Sequence, residues 1–570
     1  MVDAARILDR MTQMTPLAQR RAQPLILELD LTEGLHEGPP SDPVSALLGM
    51  RRPRLQDVLD GLRRAASDDR VKGLVAKVGG RHIGFGAVQE LRAAVTEFRR
   101  AGKGTLAWSE TFGEFGPGTV PYYLATAFER IALQPSGDVG VTGVAIEERF
   151  LRGTLEKLDV KWEVGQRYEY KTAVNTFTQD SLTEAHREAD ERLIASLGEQ
   201  IVSGIAEGRG KSADDVRALI DRAPLLGAEA LEAGLVDRLA YRDEIYDELR
   251  ESVEGDPRLQ YVARYNRAHA LGSRIPKPRE QVVALVRVTG GIRLGRSGRG
   301  PMSGGGNAGS DTVAGALRAA IKDDKVSAIV LRVNSPGGSY VASDVIWREV
   351  VRAGAVGKPV VVSMGDMAAS GGYFVAMGAD TIVAQPGTLT GSIGVFGGKP
   401  VLGDLLGRLG VTFDTLRQGA RAGMFSTSTP FTDDEWDRVN TWLDHVYTDF
   451  TAKAAQGRDL TRDRVHELAR GRVWTGADAH ENGLVDLLGG LDLAAGVARK
   501  KAGLSADAPL RPYPHVSPID RLRPPESSED RTAARTALRL EMWGPLADLS
   551  ARAGLPLGGP LMLPVKYEVR

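Results

Sequence analysis

An α/β protein made of two copies of one domain is the fold class that this 570-residue sequence predicts. Three observations carry that expectation. Short β-branched runs alternate with amphipathic stretches, as in βαβ units. Runs such as residues 326–333 are continuously apolar, which marks parallel strands covered on both faces. The chain also repeats itself at long range. Asp68-Asp69-Arg70-Val71 aligns with Asp323-Asp324-Lys325-Val326 at an offset of 255. Gln134-Pro135 aligns with Gln385-Pro386 at 251, and Gly234-Leu235-Val236-Asp237 with Gly483-Leu484-Val485-Asp486 at 249. Three blocks in the same order point to duplication, because shared composition alone would not keep the order.

The elements follow in chain order. Residues 1–55 read as an N-terminal leader with one strand-like run at 24–31. Copy one spans 56–250. A linker at 251–280 carries Pro276 and Pro278 among charges. Copy two spans 281–500 and opens with a strand at 282–288. A helix at 312–322 puts Val313, Leu317, Ala320 and Ile321 on one face. Buried strands are expected at 326–333, 359–364 and 381–384. The glycine- and arginine-rich stretch 290–309 reads as a flexible connection, since no Gly-Lys-Ser/Thr follows to make a phosphate loop. Residues 501–570 form a proline-rich tail with a helical stretch at 530–543.

Composition narrows the function. With 73 basic and 74 acidic residues the net charge is −1, so there is no electrostatic footprint for nucleic acid. The absence of cysteine excludes disulfides, thiolate metal sites and thiol nucleophiles. No His-Glu-x-x-His or similar ligand spacing appears, so the expectation is no metal and no cofactor. The apolar runs fall short of the ~18 residues a spanning helix needs. The first residues, Met1 to Met14, carry charges throughout and no apolar h-region. A cytoplasmic or peripherally membrane-associated chain is expected, without signal peptide or transmembrane helix.

Candidate chemistry sits at strand ends in copy two. One strand runs into Asn334-Ser335-Pro336-Gly337-Gly338, and its neighbour into Gly365-Asp366-Met367-Ala368-Ala369-Ser370-Gly371-Gly372. Such ends are where open α/β sheets bind ligands. A helix starting after Ser370 places its hydroxyl beside free backbone N–H groups, and two such donors make an oxyanion hole. A serine also needs a base. None of the eight histidines lies in these loops. At the repeat offset of 251, Ser370 corresponds to Thr119 and Lys171 to Ala422. Each copy lacks what the other has, which suggests one site shared between two halves with Lys171 as candidate base.

The blocks Tyr170-Lys171-Thr172-Ala173-Val174, Asn334-Ser335-Pro336-Gly337-Gly338, Ser363 to Tyr373 and Thr388-Leu389-Thr390-Gly391-Ser392-Ile393-Gly394 closely resemble the signal peptide peptidase A (protease IV) family in its long two-copy form. The resemblance covers about residues 56–500. It implies a crotonase-like (Clp protease-like) fold in each copy. It implies a Ser/Lys dyad, with Ser370 as nucleophile, Lys171 as base and Ser392 holding the lysine amine. In that chemistry the Gly338 and Gly371 N–H groups hold the oxyanion. Implied partners are peptide substrates, namely cleaved signal peptides and apolar segments, and further copies of the chain in a homotetramer. Two other readings stay open: a crotonase-like acyl-CoA enzyme, and an inactive oligomeric scaffold.

Overall fold

The computed structural model describes residues 23–38, 52–272, 280–298, 306–514 and 561–562. The helical stretch expected at 530–543 and Pro276 and Pro278 of the linker lie outside the described residues. Copy one is a parallel sheet flanked by helices. Its elements are β1 (Leu25–Asp30), α1 (Leu55–Ala66), β2 (Val71–Lys77), α2 (Phe85–Arg100), β3 (Gly104–Ser109), α3 (Thr119–Ala125), β4 (Arg130–Leu133), β5 (Lys161–Gln166), α4 (Glu184–Arg209), β6 (Arg238–Leu239), β7 (Arg258–Tyr261) and α5 (Val262–Gly272). The sheet order is β6-β4-β3-β2-β1-β7, every pair parallel. Leu27, Val58, Leu74, Leu91 and Ile131 fill the core beneath it.

This order departs from the boundaries read in the sequence. The span read as leader supplies β1, and the span read as linker supplies β7, which pairs with β1 at the sheet edge. Both strands find their neighbours through contacts far apart along the chain, and local composition does not report such pairing. Tyr265 on α5 donates to Asp68 at 2.9 Å, tying the former linker onto copy one.

Copy two repeats the plan with β8 (Val282–Thr289), α6 (Ser310–Lys322), β9 (Val326–Ser335), α7 (Tyr340–Ala355), β10 (Val360–Ala369), α8 (Gly371–Ala376), β11 (Thr381–Ala384), β12 (Leu389–Gly391), β13 (Phe396–Val401), α9 (Asp433–Arg458), β14 (Val473–Thr475), β15 (Leu487–Leu488), α10 (Leu491–Lys501) and β16 (Leu510–Pro512). β16, β8, β9 and β10 lie side by side in parallel. β10 is longer than the sequence suggests and runs through Gly365-Asp366-Met367 up to Ser370. Its first half pairs with β11 and its second half with β12, so two short strands share one long one. The stretch read as a flexible connection contributes to a sheet: Ile292 pairs with Gly338 and with Ala308. Equivalent tyrosines report the duplication directly. Tyr122 donates to Leu235 O at 2.7 Å in copy one, and Tyr373 to Leu484 O at 3.0 Å in copy two.

The copies are joined at several points. β5 of copy one and β13 of copy two pair antiparallel over six residues. Helix α2 lacks a side-chain cap of its own. Asp366 of copy two supplies one, accepting from Ala87 N at 2.9 Å. Arg332 on β9 is buried and spans Glu37 at 2.6 Å and Glu90 at 2.5 Å. Among the described residues no helix is long and apolar enough to cross a membrane.

Candidate active site

Strand β10 ends at Ala369 and helix α8 begins at Gly371, so the chain must turn at one residue. Ser370 makes that turn with φ 54° and ψ −114°, a conformation that L residues rarely adopt. Two backbone bonds hold it there. Ser370 N donates to Gly391 O at 2.8 Å, and Ser370 O accepts from Phe374 N at 2.8 Å. Backbone strain held this way by its neighbours is common at working sites. The hydroxyl is fully buried.

Lys171 reaches the same point from copy one. It stands just before a short 3-10 turn, Thr172–Val174, and is fully buried. Its Nζ lies 2.8 Å from Ser370 Oγ, 2.9 Å from Ser392 O and 2.9 Å from Ser392 Oγ. Burial pushes the amine down to about 7, because an ammonium loses its hydration there. At that value a neutral amine is well populated near pH 7. Its two N–H bonds then serve the two Ser392 oxygens, and its lone pair faces the Ser370 hydroxyl.

The structure thus brings Lys171, Ser370 and Ser392 together from three segments. Ser392 also has positive φ, at 50°, and its N donates to Arg472 O at 2.7 Å. The turn after β12 therefore anchors both partners, through Gly391 for the serine and Ser392 for the lysine. Gly371 and Gly338 lie side by side: a Cβ on Gly371 would stand 3.0 Å from Gly338 N. Gly338 is held against Ile292 in a short parallel pairing.

Other residues matter that the sequence reading did not single out. The lysine stem threads between Gly394 and Gly471. A Cβ on Gly471 would come within 2.4 Å of Lys171 N and 2.5 Å of its Cα. A Cβ on Gly394 would stand 3.2 Å from Lys171 Cδ. Gly394 falls within the quoted Thr388–Gly394 block, whereas Gly471 is far from every motif and only the fold reveals it. The apolar cover of the lysine is uneven. Ala173 and Val174 are buried, but Tyr168 is 43% exposed and Tyr170 turns its hydroxyl to Glu188 at 2.6 Å. Thr119, the counterpart of Ser370, bonds the backbone instead, donating to Gly143 O at 2.9 Å. Ala422 sits exposed in a turn.

Comparison with known proteins finds a family model and relatives that the chain resembles. The model of peptidase family S49 matches residues 97–255 and 352–505, once in each copy. The chain is 34% identical to Protease 4 of Salmonella typhi over 472 residues, covering 80% of this chain and 74% of that protein. It is 32% identical to the chloroplastic serine protease SPPA of Arabidopsis thaliana over 462 residues, covering 80% of this chain and 66% of that protein. Among solved structures, a ClpP1 mutant of Listeria monocytogenes matches at 13% identity over 36% of this chain and 91% of that one, with a TM-score of 0.22.

Proposed function

This chain belongs to peptidase family S49, and we propose that it cleaves apolar peptides, cleaved signal peptides among them, with a Ser370/Lys171 dyad. The chain is a tandem duplication of an α/β domain and a serine-type peptidase. The observation that carries the dyad is the 2.8 Å contact between Lys171 Nζ and Ser370 Oγ in a buried pocket drawn from both copies.

The steps follow from the geometry. Ser370 Oγ attacks the peptide carbonyl carbon while its proton passes to the Lys171 lone pair. The carbonyl oxygen becomes an oxyanion beside the Gly338 and Gly371 amides, where backbone donors need no reorganisation. The new ammonium then gives its proton to the leaving amine as the carbon–nitrogen bond breaks. Water attacks the acyl-enzyme with Lys171 again as base, and Ser370 is restored. Ser392 keeps the amine in place throughout. An acyl-CoA reaction of crotonase type needs no hydroxyl at this turn, and an inert scaffold needs no buried amine beside it. Both features favour acyl transfer.

A substrate in extended form suits the site. The chain's own residues Leu561–Met562 pair antiparallel with Gly337–Gly338, beside the proposed oxyanion donors. A peptide adding to that edge gains backbone bonds that do not depend on its sequence. The test is hydrolysis of a short apolar peptide by the Ser370→Ala variant, with circular dichroism as folding control. Turnover should vanish while the fold persists. Wild-type turnover in the folded variant would move the nucleophile elsewhere.

A further inference from the structure

Away from the dyad, copy one gathers three metal-ligating side chains that no step of the peptidase mechanism uses. We propose that Glu148, His186 and Asp190 hold a divalent cation of the Zn²⁺ or Mn²⁺ type. One ligand atom from each lies within 4.8 Å of the others. His186 and Asp190 stand one turn apart at the start of α4 and are 3% and 5% exposed. Glu148 is half-buried on the extended stretch 145–150, where alternate residues turn inward. Its inward neighbours show the direction: Ile146 packs near Leu193 of α4, and Phe150 meets the His186 ring edge-on.

The histidine points to a ligand. Its Nδ1 faces Asn175 Nδ2 at 3.4 Å, while its buried Nε2 has no hydrogen-bond partner among the described residues. With the Asn175 amide turned about, its oxygen accepts from Nδ1–H and leaves the Nε2 lone pair aimed at the carboxylates. Nε2 stands 3.4 Å from Asp190 Oδ2. Tetrahedral ligands on bonds of ~2.1 Å lie roughly 3.4 Å apart. One imidazole with two carboxylates is a set that Zn²⁺ and Mn²⁺ accept.

Copy two supplies an independent argument. Helices α4 and α9 begin alike, with Thr183 accepting from His186 N and Thr432 from Glu435 N. Glu435 is therefore the counterpart of His186. At the offset of 251 that relates Tyr122 to Tyr373, the counterpart of Glu148 is Lys399. The Lys399 ammonium is buried and donates to Met424 O and Ser426 O, each at 2.8 Å. Copy two thus carries a covalent cation at the place where copy one presents acids and a bare imidazole nitrogen. A bound cation would tie the 145–150 stretch to α4 and, through Asn175, to the turn that follows Lys171.

The test uses the full chain, stripped with a chelator and then dialysed against Zn²⁺ or Mn²⁺ alone. Elemental analysis should find about one bound ion per chain, and the thermal midpoint should rise with metal concentration, as mass action requires. His186→Gln should lose the bound ion and the shift. Glu148→Gln, at a half-exposed position that threatens the fold less, should weaken binding at least tenfold. Lys399→Met should keep the bound ion. No stoichiometric ion in the wild type, or binding as tight as the wild type's by Glu148→Gln or His186→Gln, would overturn the proposal.

Discussion

Ser370 and Lys171 sit in their positions because neighbouring residues leave them no other. Gly471 has φ +92° and lies against the Lys171 backbone, so an added methyl would push the lysine away from the serine. Gly471→Ala should therefore cost about 10²-fold or more in kcat/KM, since displacement of a base by ~1 Å costs that much. Peptide hydrolysis by the folded variant checks this; unchanged turnover would show that the close approach does not position the base. The buried amine also couples to stability. Its pKa is about 7 folded, against 10.5 unfolded, so between those values the unfolded chain binds more protons. Stability should rise with pH across that window, and Lys171→Met should flatten the rise; urea midpoints measured at intervals from pH 7 to pH 10 read it. That Ser370 and Lys171 meet, at 2.8 Å, was legible in the sequence because their motifs are local and because each copy lacks one of them. Gly471 was not legible, since its role depends on a contact between segments 300 residues apart.

Among the elements, the seam between copies is the most exposed to prediction. Arg332 on β9 sits 2% exposed between Glu37 and Glu90 of copy one, and it also donates to Ser363 Oγ at 2.9 Å. Glu90 in turn accepts from Leu491 N at 3.1 Å, at the start of α10. Arg332→Met should destabilise the protein by about 3–5 kcal/mol, because it leaves two buried carboxylates without their cation. Denaturant unfolding would show it, and a loss below about 1 kcal/mol would mean that water reaches the seam. Periodicity foretold the strands and helices that make up each sheet. It did not foretell that β10 would run on to Ser370, since Gly365 and Asp366 are turn residues by local preference. There the pairing with β12 and the cap that Asp366 gives to α2 override that preference.

At the scale of the whole molecule, the duplication leaves one pairing unused. β5 of copy one pairs with β13 of copy two, whereas their counterparts at offset 251, residues 412–417 and 145–150, have no strand partner among the described residues. Leu409 is 71% exposed, Phe413 53% and Leu416 99%, so an apolar strip lies beside the bare edge. We propose that 412–417 of one chain pairs with 145–150 of the next, which makes the expected homo-oligomer a ring of like contacts. Phe413→Glu with Leu416→Glu should reduce the mass in solution to a single chain by light scattering; an unchanged assembly would place the contact elsewhere. Above all, we propose that two copies build one catalytic site, the base from one and the nucleophile from the other. The most direct test is hydrolysis of an apolar peptide from pH 5 to pH 9 by the wild type, Lys171→Ala and Lys171→Arg, each checked for folding. The wild-type rate should climb through about pH 7 as the buried ammonium loses its proton. Both variants should fall by ~10²–10⁴-fold and lose that step, because alanine has no base and guanidinium stays charged. A Lys171→Ala enzyme that kept more than about a tenth of the wild-type rate, with the same rise through pH 7, would contradict the account.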